Sequence, residues 1–157
     1  MIRMTRLTDY GIMLLTLFAR DAKRPMRSAR DLAEEAHLPL PTVSKLLKVL
    51  ARHELLEAHR GVKGGFRLSR PSGDITVSEI IQALEGPIGV TECSSHDGQC
   101  DIERSCVVKS NWRKINTAVL DALGKITLEE MAQPIAMPDT PVHPRGDFAK
   151  AVAAHKR

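Results

Sequence analysis

Apolar residues recur along the first fifty positions at the three-and-four spacing of helices that bury one face. Leu7, Tyr10, Leu14, Leu17 and Phe18 mark a first helix over residues 7–19, with Thr5 or Thr8 placed to cap it. Ser28-Ala29-Arg30-Asp31 opens a second, short helix, Ser28 capping the free N–H groups and Asp31 lying at the positive end of the dipole. It stops before His37-Leu38-Pro39. Pro39 and Pro41 forbid continuation but suit a first helical turn, so a third helix starts near Pro41 and turns Val43, Leu46, Leu47 and Leu50 inward.

The period then changes. Residues 55–59 and 66–69 are short extended runs on either side of Arg60-Gly61-Val62-Lys63-Gly64-Gly65, which predicts a two-stranded wing around a glycine-rich reversal. Thr76 caps a further short helix with Val77, Ile80, Ile81 and Leu84 on one face, closed by Gly86-Pro87. From Val108 the apolar positions Val108, Trp112, Ile115, Val119, Ala122 and Ile126 step by four, three, four, three and four, a heptad seam. A helix so far from the first half has little of its own chain to pack on, and pairing with a second copy explains the seam better than folding back. Gly124 interrupts the pattern, and Thr127-Leu128-Glu129-Glu130 fits a capping box opening a last short helix. Pro134, Pro138, Pro141 and Pro144 prevent any longer helix beyond it, so 134–157 reads as a flexible tail in which 147–155 forms a transient helix.

The expected fold is therefore mostly α with a small β-hairpin wing. It divides into a winged helix-turn-helix (1–86), a cysteine-containing loop (87–106), a dimerisation helix with a short closing helix (107–133) and the tail. Composition agrees: of 157 residues 43% are hydrophobic and 27% charged, which excludes wholesale disorder, and 3% aromatic content weighs against an aromatic-rich sandwich or barrel. No run approaches the roughly 20 apolar residues of a membrane span, and no signal-peptide pattern follows Met1-Ile2-Arg3, so a cytoplasmic location without a membrane partner is expected.

Charge is distributed unevenly. Residues 1–70 hold 14 Lys/Arg against 7 Asp/Glu, whereas residues 71–157 hold 9 against 12. The basic half is the one with the helix-turn-helix and wing, and a helix fits the major groove of duplex DNA while a basic hairpin straddles the adjoining backbone or minor groove. Double-stranded DNA is the expected partner. Thr42, Ser44 and Lys45 at the exposed start of the third helix are candidates for base edges, and Lys48 and Arg52 for phosphates. Arg60, Lys63 and Arg67 line the wing, with Arg60 placed to enter the minor groove.

Cys93, Cys100 and Cys106 are the only cysteines; an odd number within 14 residues excludes a disulfide framework. Their gaps exceed those of a zinc knuckle and allow a loop to wrap an object wider than one ion, and soft thiolates suit iron-sulfur clusters, zinc or copper(I). Buried or redox-sensitive thiols are the alternative.

Taken together, Arg3-Met4-Thr5, Asp9-Tyr10, the helix over 40–50, Arg60-Gly61, Gly64-Gly65-Phe66, the three cysteines, Trp112-Arg113 and Ile126-Thr127-Leu128 resemble the IscR-type winged-helix regulators of bacteria, most closely the branch controlling SUF iron-sulfur assembly genes. The resemblance implies a homodimeric transcription factor on pseudo-palindromic operator DNA. It also implies that Cys93, Cys100 and Cys106 hold an iron-sulfur cluster, 2Fe-2S in preference to 4Fe-4S, and that the family's wing arginine is Arg60. Where one branch has a histidine three residues after the last cysteine, this chain has Lys109, whose protonated amine has no lone pair for a metal. The fourth ligand stays open between His96, inside the loop, and Asp9, at whose position a nitric-oxide-sensing branch supplies a carboxylate across the dimer. The dimer interface is expected at Val108, Trp112, Ile115, Val119 and Ala122. The rival functions are a metal-free or zinc-bound thiol redox-sensing, or nitric-oxide-sensing, winged-helix repressor and a protein-interaction module. A thiol redox enzyme lacks support, for the chain has no two-residue cysteine pair and no Ser/His/Asp arrangement.

Overall fold

The computed structural model describes residues 4–21, 23–61, 64–91 and 105–133. The first helix, α1 (Arg6–Arg20), is capped by Thr5, whose hydroxyl accepts the Thr8 N–H. Its core stripe is Thr8, Gly11, Leu14, Leu15 and Phe18. Leu7, expected on that stripe, is 42% exposed, and Leu15 is buried in its place. Apolar side chains surround α1 almost completely between Ile12 and Phe18, so the neighbours rather than the pattern choose the buried face.

Ser28 and Asp31 form a full capping box at the start of α2 (Ala29–Ala36). His37 ends it in the left-handed region at φ 52°, and Leu38 donates back to the Ala33 carbonyl at 3.0 Å, which makes the sharp turn into α3 (Leu40–Arg52). Val43, Leu46, Leu47 and Leu50 are buried as their spacing predicts. The wing pairs β1 (Leu56–His59) with β2 (Gly65–Leu68) antiparallel, Leu56 opposite Leu68 and His59 opposite Gly65. Two glycines permit this hairpin. Gly61 turns at φ +121°, and a Cβ on Gly65 would lie 2.6 Å from the Arg27 carbonyl, because Arg27 and Phe66 exchange backbone hydrogen bonds of 2.9 and 2.8 Å.

A 3-10 turn at Ser72–Asp74 leads to α4 (Val77–Glu85), opened by the Thr76/Glu79 capping box and ended at Gly86. After the cysteine segment come α5 (Lys109–Gly124) and α6 (Leu128–Ala132), the latter opened by the Thr127/Glu130 box. α6 packs on α1. Leu128 has no exposed surface, its N–H donates to the Ile75 carbonyl at 2.8 Å, and the Val77 N–H donates to the Ile126 carbonyl at 2.9 Å. Arg20 adds a hydrogen bond from Nε to the Ala132 carbonyl at 3.0 Å. The segment expected to close the dimerisation unit thus fills the core of the winged unit, beside Leu14, Leu32, Val43, Leu47, Leu50 and Ile80. Among the described residues no helix is long and apolar enough to cross a membrane.

Candidate nucleic-acid interface and cysteine segment

Four apolar anchors orient α3. With Val43, Leu46, Leu47 and Leu50 inward, Pro41, Lys45, Lys48 and Arg52 face out, and Thr42 and Ser44 are half-buried at the rim. Pro39 caps α3 without a side-chain hydrogen bond. The outward face therefore combines short hydroxyl side chains near the N-terminus with cations along the helix.

The arginines and lysines of the basic half divide into two groups. Arg27 is buried, pairs with Glu35 and donates to the Leu17 carbonyl at 3.4 Å, joining α1, α2 and the wing. Arg70 ties the wing's base together, reaching Glu79 at 2.5 Å, the Asp74 carbonyl at 3.1 Å and the Glu54 carbonyl at 3.3 Å. Arg67, grouped by sequence with the DNA-facing cations, holds Glu57 across the hairpin at 2.6 and 2.8 Å, and His59 lies 3.5 Å from the same carboxylate. The Arg67 hydrogen bond and charge, opposed by slight desolvation and helped by His59, lower the Glu57 carboxyl below its ordinary value. Lys45, Lys48, Arg52 and Arg60, by contrast, are exposed and have no ion-pair partner among the described residues. Arg60 directly follows β1 at the wing tip. Lys63 lies outside the described residues.

Cys93, His96 and Cys100 also lie outside them. Cys106 is half-buried just before α5, its carbonyl accepting the Lys109 N–H at 3.3 Å. Asp9 is exposed in the first turn of α1. Among the described residues no three His, Cys, Asp or Glu side chains gather into a metal-binding group, and Asp9 and Cys106 of one chain do not form one.

Two polar side chains that the sequence pattern did not single out make long-range bonds near the cysteine segment, Glu85 to the start of α1 and Asn116 to the backbone at residues 88–90. Glu85, at the end of α4, accepts the Thr8 hydroxyl and, at 2.8 Å, the Thr5 N–H. These bonds, the Thr8 hydroxyl first, lower its carboxyl against a smaller effect of burial. Asn116, 6% exposed, accepts the Val90 N–H at 3.1 Å and donates to the Ile88 carbonyl at 3.3 Å. Nothing in spacing marks Asn116, because its partners lie 26 and 28 residues away. It turns α5 so that Val108, Trp112 and Ile115 stay 43%, 36% and 45% exposed, with Ala122 exposed and Val119 half-buried beyond them.

Comparison with known proteins agrees with this arrangement. The family described as "Rrf2: Iron-dependent Transcriptional regulator" matches residues 4–134. The HTH-type transcriptional regulator IscR of Xenorhabdus nematophila is 27% identical over 131 residues, covering 83% of this chain and 79% of that protein. Among solved structures, T. potens IscR has a TM-score of 0.62 at 28% identity, covering 83% of this chain and 85% of that one. CymR, the global cysteine regulator of B. subtilis, has a TM-score of 0.66 at 26% identity, covering 84% and 97%.

Proposed function

This chain belongs to the Rrf2 family of transcriptional regulators and is of the IscR type, and from that premise we propose that it is a homodimeric, iron-sulfur-dependent regulator of promoter DNA. Its relatives are transcriptional regulators and not enzymes. The proposed targets are SUF-type iron-sulfur assembly genes, approached through a pseudo-palindromic operator.

One observation carries the reading. α5 begins three residues after Cys106 and, with its N-cap Val108, leaves an apolar strip of Val108, Trp112 and Ile115 a third to a half exposed, so the proposed ligand directly precedes the helix that carries the exposed apolar face. A second copy seated on that strip would bring two α3 helices to one duplex, with Thr42, Ser44 and Lys45 at base edges and Lys48, Arg52, Arg60 and Lys63 on phosphates or in the minor groove. Arg67 serves the wing through Glu57.

The donor set fits an iron-sulfur cluster: Cys93, Cys100 and Cys106 offer thiolates, and Asp9 or His96 completes them. Such a cluster supplies, when bound, an inorganic centre sensitive to oxygen and nitric oxide. The protein's part is to hold the segment over 87–106 in one conformation, biasing the separation of the two recognition helices.

Anaerobic purification with an absorbance spectrum and iron and sulfide counts tests this, repeated on Cys100→Ala, Asp9→Ala and His96→Ala. The expected result is a coloured protein whose duplex DNA affinity changes on cluster loading, with loss of iron in Cys100→Ala and in one of the other two. A colourless, iron-free protein whose affinity ignores iron and sulfide but responds to thiol oxidation would establish the metal-free alternative.

A further inference from the structure

The outward face of α3 begins with carbon. Pro41, Lys45, Lys48 and Arg52 follow one another at steps of four, three and four, so at about 100° per residue they lie along one line of the helix, opposite Val43, Leu46, Leu47 and Leu50. Pro41, itself exposed, opens that line, and Leu40 beside it is 40% exposed. A single exposed leucine is ordinary. This one joins a proline ring held rigid in the first helical turn, and the exposed Pro39 precedes both. The other large apolar side chains exposed among the described residues lie at 4–7, 107–115 and 126–131, outside α3 and the wing. α3 contains no acidic residue, and three cations follow the apolar start along the same line. The occupant of this face is therefore an apolar group carried on a polyanion.

Duplex DNA displays one such group in its major groove, the 5-methyl of thymine. The polar side chains at the start of α3 leave it unread. Thr42 and Ser44 carry hydroxyls, which donate or accept and so suit several base edges, and Lys45 donates, as the guanine acceptors require. Between residues 40 and 48 there is no Asn, Gln, Arg, Asp or Glu to discriminate the remaining bases. We infer that Leu40 and Pro41 form an apolar edge that recognises the 5-methyl group of thymine in the operator. The inference rests on the DNA-binding reading above and adds to it the base that α3 selects. Proline suits the task, for it has no N–H to leave unpaired when a methyl group displaces water from its ring, and its fixed φ means that little order is lost on contact.

The test uses the full-length protein, in whichever of its iron-loaded and iron-free forms binds duplex DNA more tightly, and an operator selected from a random duplex library. Each thymine of the half-site is replaced in turn by deoxyuridine, which keeps the base pair and every hydrogen-bonding group and removes one methyl. At least one position per half-site is expected to weaken wild-type binding about fourfold, the loss of one buried methyl group. In the double variant Leu40→Ala with Pro41→Ala the same replacement should change affinity by less than about twofold. Thr42→Ser, which removes the other methyl group at the outer rim of the first turn and keeps the hydroxyl, should retain the wild-type loss. A loss above about twofold that persists in the double variant, or one that disappears in Thr42→Ser, belongs to DNA shape or to another side chain and overturns the inference. A half-site whose thymines all tolerate deoxyuridine, or one without thymine, overturns it too. In each of these cases the DNA-binding reading stands, whereas a library that yields no preferred duplex overturns both. If the double variant does not fold, Leu40→Ala alone, at an exposed position outside the core, is read in the same way.

Discussion

Removing Lys48 gives the most quantitative test of the interface. Lys48, Arg52, Arg60 and Lys63 are the four cations proposed to meet phosphates or the minor groove, and of these Lys48, Arg52 and Arg60 are exposed with no carboxylate partner among the described residues. A dimer presents about eight of them, and each phosphate neutralised contributes about 0.9 to the slope of log affinity against log salt, so a slope of about −7 is expected. Raising salt from about 50 to about 200 mM then weakens binding by about four decades. Lys48→Ala deletes one cation per copy and should bring the slope to about −5. Fluorescence anisotropy on a labelled operator duplex over that salt range measures both values. The control is the double variant Glu57→Gln with Arg67→Gln: it removes a pair that already neutralises itself across the hairpin, and should leave the slope within about one unit of wild type. A wild-type slope shallower than about −3, or a Lys48→Ala slope equal to wild type, refutes the assignment of these cations to phosphates.

Three further outcomes are expected. Leu128→Ala, at a position with no exposed surface, should cost about 2–5 kcal/mol in urea unfolding, because a cavity opens between α6 and α1. Trp112→Ala should weaken self-association at least about tenfold in sedimentation equilibrium while leaving the winged unit's unfolding midpoint in place, since Trp112 is 36% exposed within one chain. Glu85 has a carboxyl lowered in the folded state relative to an unfolded value of about 4.3, so its stabilisation is complete above that pH and disappears as pH falls through the folded value. Wild-type Tm should therefore fall more steeply than that of Glu85→Gln below about pH 4.3, with the variant the less stable at pH 7; parallel curves would contradict the Thr8–Glu85 bond.

Local signals were legible wherever the chemistry is local. Ser28 with Asp31, Thr76, and Thr127 with Glu130 sit at helix starts because a hydroxyl and a carboxylate three residues apart satisfy N–H groups that no other part of the chain reaches. Pro39 and Pro41 likewise place the turn before α3, which begins one residue earlier than its pattern suggests. What escaped the sequence depends on partners distant along the chain. Arg27 reads as one more surface cation until its backbone pairs with Phe66 and its buried guanidinium with Glu35. Leu7 and Leu15 exchange roles because α1 offers apolar residues on several faces. Asn116 has no periodicity to betray it, and the return of α6 rests on backbone bonds to Ile75 and Val77, some fifty residues earlier. The outward hydroxyls and cations proposed to face DNA were readable in kind, because Val43 and three leucines fix the inner face of α3. Their sorting into unpaired and paired was not, since Glu57 and Arg67 meet only when the hairpin closes.

The seat that Leu128 takes against α1 also bears on how the chain is made. Because Ile75 and Val77 bond to residues that emerge from the ribosome only after α5, the nascent chain carries a complete reading helix well before it has the last piece that seals the hydrophobic interior beneath it. A product cut short before residue 126 therefore holds α3 on an unsealed support. On the proposed reading, competence to read a promoter therefore arrives late in translation, with the helix proposed to pair two copies.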